Sequence, residues 1–437
     1  MKLGPLNVFS VSPSIAKTLC RSLLPSPWSD LSPEEITIEP ITTGRSNRLF
    51  ICTRPIIVPQ STNCDTISSE TCSCSSSSST TSSSSPVILL SPEICSQPSS
   101  SSDDDSDYNP NGDLINTLTK RESASKLHKV IVRFYGSDLT GEGNRYKCVS
   151  DEEEIKILTI LSARYMSPNV LAVFPGGRID EYIESVTFSP KQLGHIDILT
   201  ILAGKIAQYH STPFKCERIY DLVEIFRDNI SQAIKILSTY DETNLNDDRS
   251  ESSILLLRKI KNFLTGKPAD QLTRKFVNVK HKTVFAHFDL NYTNFLFPKK
   301  SNNLLETKST FDVMIIDVEN SANNFRGIDL GKFFAELCIG DGSQDLYYIP
   351  DSAIEIFVDH YLNEWKSIVP PEQYDPETDN HDHLLLELQT GFLYNTIFNM
   401  VWNVLHPNFG THDFLRNTAL RIDVFNHYNQ LWSQINQ

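Results

Sequence analysis

The sequence lacks the long apolar runs that build membrane-spanning helices. A helix that crosses a bilayer needs about 18 to 20 consecutive apolar residues, and no such run occurs in this chain of 437 residues. The opening segment, MKLGPLNVFSVSPSIAKTLC, also lacks the continuous apolar stretch and small-residue cleavage site of a secretory signal. We therefore expect a cytoplasmic protein with no stable membrane anchor.

Basic residues are scarce relative to acidic ones. The chain has 39 Lys and Arg against 54 Asp and Glu, which gives a formal net charge of -15. Nucleic-acid binding needs a basic face that neutralises phosphates, and anionic lipid surfaces attract basic clusters for the same reason. The charge therefore argues against both kinds of partner.

Cysteine is sparse and irregularly placed. There are nine cysteines, and only Cys72 and Cys74 are close together, within a serine tract. Disulfide frameworks are typical of short secreted chains with an even number of cysteines. The pattern indicates reduced thiols, which again favours the cytoplasm.

Serine, threonine and acidic residues dominate one internal segment, from residue 59 to about 126. Such a composition cannot bury enough apolar surface to offset the entropy of ordering the chain. We interpret it as a disordered insertion. A tolerated loop is favoured over a phosphorylated regulatory segment, because the entropy of closing a loop grows slowly with its length.

Folded patterns surround this insertion. Strands are predicted at 36–42, 48–54, 129–135, 170–174 and 178–183. Ser150 followed by Glu153 is a capping box, which predicts a helix over EIKILTILSARY. Further helices are predicted at 196–210, 219–238, 252–265, 351–366, 381–405 and 414–435, with short strands at 295–298 and 313–317. The sequence therefore predicts an α+β protein with a β-rich N-terminal lobe over residues 1–183 and a mainly helical C-terminal lobe over residues 184–437.

The strongest chemical signal is the segment HFDLNYTN, which places His287, Asp289 and Asn294 in one loop before a strand; Asp317 then ends the next apolar strand. Phosphoryl transfer needs one carboxylate that orients or deprotonates the attacking hydroxyl, and an amide and a second carboxylate that hold Mg²⁺. Asp289 and His287 are the candidate catalytic residues, with Asp289 as the base, and Asn294 and Asp317 are candidate metal ligands. The alternative is a polar turn with a satisfied histidine.

Arg133 lies inside an otherwise apolar strand, where a charge must be paired or bind a ligand. Glu154, in the first turn of the next helix, is a candidate partner, and such a pair positions nucleotide phosphates in kinases. The alternative is a solvent-facing arginine. The turn GRSN has one glycine and alone is an ordinary hairpin turn. Its place before the Arg133 strand makes Ser46 and Asn47 candidates for covering the phosphates.

Several separate segments carry a joint resemblance: LLPSPWSDL, GRSNRLF, VIVRFYG, EIKILTIL, FPGGRIDEYI, HFDLNYTNFLF and IIDVENSANNFRGIDLGKFFAE. Taken in this order, they resemble the motifs of choline/ethanolamine kinases, closest to choline kinase. These enzymes have the two-lobed protein-kinase-like fold shared with aminoglycoside phosphotransferases. The resemblance runs from about Ala16 to near the C-terminus and skips the serine insertion.

The resemblance implies roles at the nucleotide and metal sites. Arg133 and Glu154 would hold the phosphates of ATP, while Glu181 and Ile183 would meet adenine through backbone groups. Glu319 would join Asn294 and Asp317 at the Mg²⁺ sites.

The resemblance also implies an acceptor pocket for the amino alcohol. The residues that would line it are Asp329, Glu336, Trp402, Phe409 and Phe414. Glu336 would supply negative charge for the cationic head group. The alternatives are a helix cap for Asp329 and core packing for Trp402.

Two positions depart from the aromatic residues of the family. Asn320 stands where the family has the tyrosine of I-D-F-E-Y, and Asn399 where it has the first tryptophan of F-W-G-L-W. A quaternary ammonium is bound best by an aromatic box, so these changes weaken the choice of choline over ethanolamine. The FPGGR and FRGID segments favour choline.

The sequence thus predicts an ATP- and Mg²⁺-dependent kinase that phosphorylates a small molecule, choline and also ethanolamine, as the first step of nucleotide-activated phospholipid synthesis. Two alternatives stay open: an ethanolamine-preferring enzyme, and a pseudokinase that binds nucleotide without turnover. The intact set of Asp289, Asn294 and Asp317 argues against the pseudokinase. The oligomeric state is also open, a homodimer included.

Overall fold

The computed structural model describes residues 12–41, 47–56, 126–136, 149–186, 188–214, 222–240, 251–266, 268–299, 313–340, 346–406 and 408–435. Contacts divide the chain into two units, Met1–Arg54 with Lys120–Gln437 and Pro55–Thr119. The predicted insertion, up to residue 125, and the candidate Ser46 lie outside the described residues. Among the helices in these ranges, none is long and apolar enough to cross a membrane.

An antiparallel sheet forms the N-terminal part. Its strands are β1 (Thr37–Ile41), β2 (Asn47–Thr53), β3 (Lys129–Tyr135), β4 (Val170–Phe174) and β5 (Gly177–Glu181), in the order β1-β2-β3-β5-β4. Helix α1 (Pro13–Leu23) precedes them. Val130, Val132 and Phe134 of β3 are buried in the core of this part. Since side chains alternate along a strand, Arg133 lies on the opposite face of the sheet.

Helix α2 (Asp151–Ala163) follows β3 and begins at the predicted capping box. The Ser150 hydroxyl accepts from the Glu153 N–H at 3.2 Å, and the Glu153 carboxylate accepts from the Ser150 N–H at 2.7 Å. Two donors at the helix start are thereby satisfied. This prediction is confirmed.

The rest of the described chain is mainly helical. The helices are α3 (Pro190–Leu193), α4 (Ile196–His210), α5 (Leu222–Thr239), α6 (Glu251–Thr265), α7 (Pro268–Asn278), α8 (Arg326–Ile339), α9 (Asp351–Ile368), α10 (His381–Leu405) and α11 (His412–Ile435). Short strands are β6 (Ser185–Val186), β7 (Thr283–Ala286), β8 (Phe295–Pro298), β9 (Met314–Ile315) and β10 (Ala322–Phe325). They pair as β6-β8-β9 and as β7 with β10. The predicted helices are confirmed to within three residues, whereas α1, α3, α7, β6, β7 and β10 are additional.

Helices α8 and α10 cross with their backbones in contact. A Cβ atom placed on Gly331 of α8 would lie 2.1 Å from the carbonyl carbon of Gly391 of α10, so a side chain at this position would have to separate the helices. The close crossing brings Glu336 of α8 within hydrogen-bonding distance of Asn399 of α10.

Candidate active site

The loop between β7 and β8 carries Asp289, whose side chain is 39% exposed. Phe288 before it has φ 65°, a left-handed conformation that costs free energy for a residue with a side chain. At the end of the loop, the Asn294 side-chain amide donates to the backbone oxygen of Asp289 at 2.9 Å. The loop is therefore tied to itself at the candidate base.

His287 is fully buried and joins this loop to the chain before Asp317. Its Nδ1 accepts from the Asp289 N–H at 3.2 Å, and its Nε2 lies 2.9 Å from the backbone oxygen of Ile316. Because Nδ1 accepts, this network assigns the ring proton to Nε2. Both ring nitrogens are engaged in hydrogen bonds with the backbone, inside the protein. The catalytic role expected for His287 is therefore corrected to a positioning role.

Asp317 lies beside the loop, as the spacing predicts. The Ile316 N–H donates to the backbone oxygen of Asn294 at 3.0 Å. Asp317 itself has φ 68°, and its carboxylate is 37% exposed and 3.8 Å from the Arg133 guanidinium. The loop, the end of β9 and the sheet arginine therefore meet at one place.

Asp329 lies underneath the catalytic loop. Its carboxylate accepts from the N–H groups of His287 and Phe288, the latter at 2.7 Å, and lies 3.2 Å from Nε2 of His210. The side chain is 0% exposed, so it cannot line a pocket. The expected substrate contact is wrong, and the cap alternative is also wrong because Phe325 occupies the N-cap of α8. Asp329 supports the loop.

Two arginines lie side by side on the sheet. Arg133 of β3 stands opposite Arg178 of β5, and Asp180 reaches both, at 3.6 Å and 2.9 Å. The carboxylate of Glu154 pairs with Arg178 at 2.6 Å, although the sequence favours Arg133 as its partner. Arg178 and Asp180 were not predicted, and their signal is a pair of opposite charges on either side of Ile179 in β5.

Two further nucleotide candidates have defined contacts. Asn47 donates from its amide to Glu319 at 3.3 Å and accepts from the Gly136 N–H at 3.4 Å, so it links the sheet to a candidate metal ligand. The Glu181 N–H donates to the backbone oxygen of Asn169 at 2.8 Å. The Glu181 N–H is therefore already used, and the contacts of adenine with backbone groups of Glu181 and Ile183 stay predictions.

The expected negative charge of the acceptor pocket is already compensated. Glu336 accepts from Arg421 at 2.9 Å and 3.3 Å and from Asn399 at 2.8 Å, and it lies 3.6 Å from Lys332. Burial would raise the pKa of the Glu336 carboxyl, but Arg421 and Lys332 outweigh it and lower this pKa to about 2. Glu336 was expected to supply negative charge for the cationic head group, and in the structure this charge is already shared with Arg421 and Lys332.

The aromatic candidates divide into two groups. Trp402 and Phe414 are half-buried and lie on either side of His406, with ring centroids 5.1 Å and 4.6 Å from its ring. Phe409 is buried and packs on Tyr240 at 5.2 Å. Trp402 and Phe414 are thus brought together, with His406 as an unpredicted member, whereas the pocket role of Phe409 is corrected to core packing.

Comparisons with known proteins identify the family of the chain. The family model described as choline/ethanolamine kinase matches residues 110–425. A human choline/ethanolamine kinase is 22% identical over 410 residues, which cover 90% of this chain and 80% of the relative. A mouse choline kinase alpha is 23% identical over 316 residues, which cover 65% of each chain.

Two solved structures share the fold. A choline kinase from Cryptosporidium parvum superposes with a TM-score of 0.56 at 17% identity, covering 97% of this chain and 96% of that one. An ethanolamine kinase from Plasmodium vivax gives a TM-score of 0.52 at 15% identity, covering 97% and 93%. The predicted two-lobed, kinase-like fold is confirmed.

Proposed function

Since the chain belongs to the choline/ethanolamine kinase family, we propose that it transfers the γ-phosphoryl group of ATP to the hydroxyl of choline or ethanolamine. The observation that carries the proposal is the junction at Ile316, which bonds to His287 at 2.9 Å and to Asn294 at 3.0 Å. This junction holds Asp289 and Asp317, from distant parts of the chain, beside one another. The product would enter nucleotide-activated phospholipid synthesis.

Asp289 would orient the acceptor hydroxyl and accept its proton during attack on the γ-phosphorus. It is partly exposed, and its loop is anchored by hydrogen bonds from Asn294 and to Asp329, so little reorganisation is needed when substrate binds. Arg133, which lies near Asp317, would meet the phosphates on the sheet side.

The residues present fit a magnesium ion. The side-chain nitrogen of Asn294 is committed to Asp289, which leaves its oxygen as the ligand atom, and the Asp317 carboxylate is 37% exposed. Within the described ranges, no group of three His, Cys, Asp or Glu side chains could hold a metal by itself. Mg²⁺ is usually held by one or two carboxylates together with substrate phosphates. Bound there, it would neutralise developing phosphate charge, with Glu319 as a further candidate ligand.

The test is ADP release by the purified protein with MgATP and choline, ethanolamine or no acceptor. We expect release that depends on an amino alcohol. Asp289→Asn should lower kcat at least about a hundredfold while ATP still binds. Asp228→Asn, on the exposed face of α5, is the matched control and should behave as wild type. A rate of ADP release that is the same with choline, with ethanolamine and without an acceptor would refute the proposal.

We also propose a cytoplasmic protein that works on small molecules and not on nucleic acid. The net charge of -15 supports the second part. The irregular placement of the nine cysteines along the sequence supports the first. A homodimer is a further proposal, which sedimentation of the purified protein would test.

A further inference from the structure

An ammonium group of the protein itself lies at the acceptor end of the site. Nζ of Lys332 is 3.3 Å from the Asp289 carboxylate, 3.2 Å from the side-chain oxygen of Asn399 and 3.6 Å from the Glu336 carboxylate. The lysine side chain is only 12% exposed. A lysine ammonium has three N–H donors, and three acceptors surround this one.

The charges around Lys332 cancel. The carboxylates of Asp289 and Glu336 face two cations, Lys332 and Arg421, and Arg421 holds Glu336 through two contacts at 2.9 Å and 3.3 Å. A cationic acceptor that approaches Asp289 from this side therefore meets two carboxylates whose charges are already balanced. It also meets a cation of its own sign beside the group that must orient its hydroxyl.

We propose that Lys332 is a specificity-determining residue that takes the place of the acceptor cation and weakens the binding of positively charged alcohols. The inference rests on the proposed function and deepens it. Lys332 is surrounded by two carboxylates and an amide oxygen, which are the acceptors that suit a primary ammonium group. The attraction for the acceptor then comes from the half-buried rings of Trp402 and Phe414 and from shape.

Two ligands that differ only in charge measure the contribution of the ligand's positive charge to binding. Choline and its dimethylbutanol isostere, in which carbon replaces the nitrogen, have the same shape and hydroxyl but differ by one positive charge. The wild type should bind the two with dissociation constants within about fivefold, since only weak cation–π attraction favours choline. A preference for choline above about thirtyfold in calorimetric titration would overturn the inference without any substitution.

Lys332→Gln removes the charge and keeps a polar side chain of similar length. The ratio of choline affinity to isostere affinity should rise about tenfold, the factor that one like charge a few ångströms away supplies in a partly screened site. Any effect on the geometry of Asp289 is shared by both ligands and cancels in the ratio. Lys332→Arg keeps the charge and should keep the wild-type ratio.

Lys259→Gln is the matched control, because Lys259 pairs at 2.6 Å with Asp423 in a separate, partly exposed ion pair. It should leave the ratio unchanged. An unchanged ratio in folded Lys332→Gln protein would overturn the inference. Failure of the wild type to release ADP with either amino alcohol would refute the proposed function instead, and the binding ratio would still decide the role of Lys332.

Discussion

Replacing Asp329 by alanine should both destabilise the protein and slow catalysis. The substitution leaves the N–H groups of His287 and Phe288 without their acceptor in a site where the carboxylate is 0% exposed. An unsatisfied buried donor costs about 1 to 3 kcal/mol. For the two together, we expect a loss of about 4 kcal/mol in the free energy of unfolding, a large part of the 5 to 15 kcal/mol typical of a folded domain.

The catalytic effect follows from the left-handed backbone of Phe288, φ 65°, which is held in place by the carboxylate of Asp329. Without it, the loop should relax and displace Asp289, and a displacement of about 1 Å can cost roughly a hundredfold in rate. The nucleotide contacts lie elsewhere, so KM for ATP should change little.

Urea unfolding followed by circular dichroism measures the stability, and ADP release at low temperature measures kcat. Asp329→Asn should lie between wild type and alanine, because an amide oxygen can still accept from one of the two N–H groups. Asp413→Asn, on an exposed site of α11, controls for the loss of a charge. An unchanged urea midpoint together with kcat within threefold of wild type would refute this account of Asp329.

Three further predictions concern other parts of the molecule. Asp317→Ala should abolish turnover and, unlike Asp289→Asn, also weaken MgATP binding, which calorimetry would show. Burial lowers the pKa of the His281 imidazole to about 4 from 6.5; because the unfolded state takes up the proton first, stability should fall by about 3 kcal/mol between pH 6.5 and pH 4. Urea midpoints across this range check it, and His281→Phe should flatten the profile. Replacing residues 62–124 by a short Gly/Ser linker should keep activity, since loop closure entropy changes slowly with length; loss of folded protein would contradict the interpretation as a tolerated loop.

Local patterns predicted the elements that depend on local physics. The capping box of Ser150 and the apolar alternation around Arg133 act over a few residues, and the structure has the corresponding helix and strand. The segment HFDLNYTN likewise keeps its chemistry within one loop, so His287, Asp289 and Asn294 were found together. In each case, the interaction partners are close in the sequence.

Partnerships between distant residues could not be predicted in the same way. The sheet register sets Arg178 opposite Arg133, and Arg178 pairs with Glu154. Register is a property of the assembled sheet and not of a local pattern. Glu336 is neutralised by Arg421, 85 residues later. The sequence marks Glu336 as a candidate residue but gives no sign of this countercharge, which belongs to another helix.

The contact of Gly331 with Gly391 has a consequence for how such a site can diverge. With backbones touching, α8 and α10 cannot come closer, and moving them apart for a bulkier acceptor would give up the close packing of the crossing. Gly331 lies between Asp329 and Lys332 in the chain. A wider separation of α8 and α10 would therefore disturb both the catalytic loop and the acceptor end of the site. Selection for a new alcohol would thus proceed by exchanging side chains at positions such as 332 and 399, and leave the crossing itself untouched.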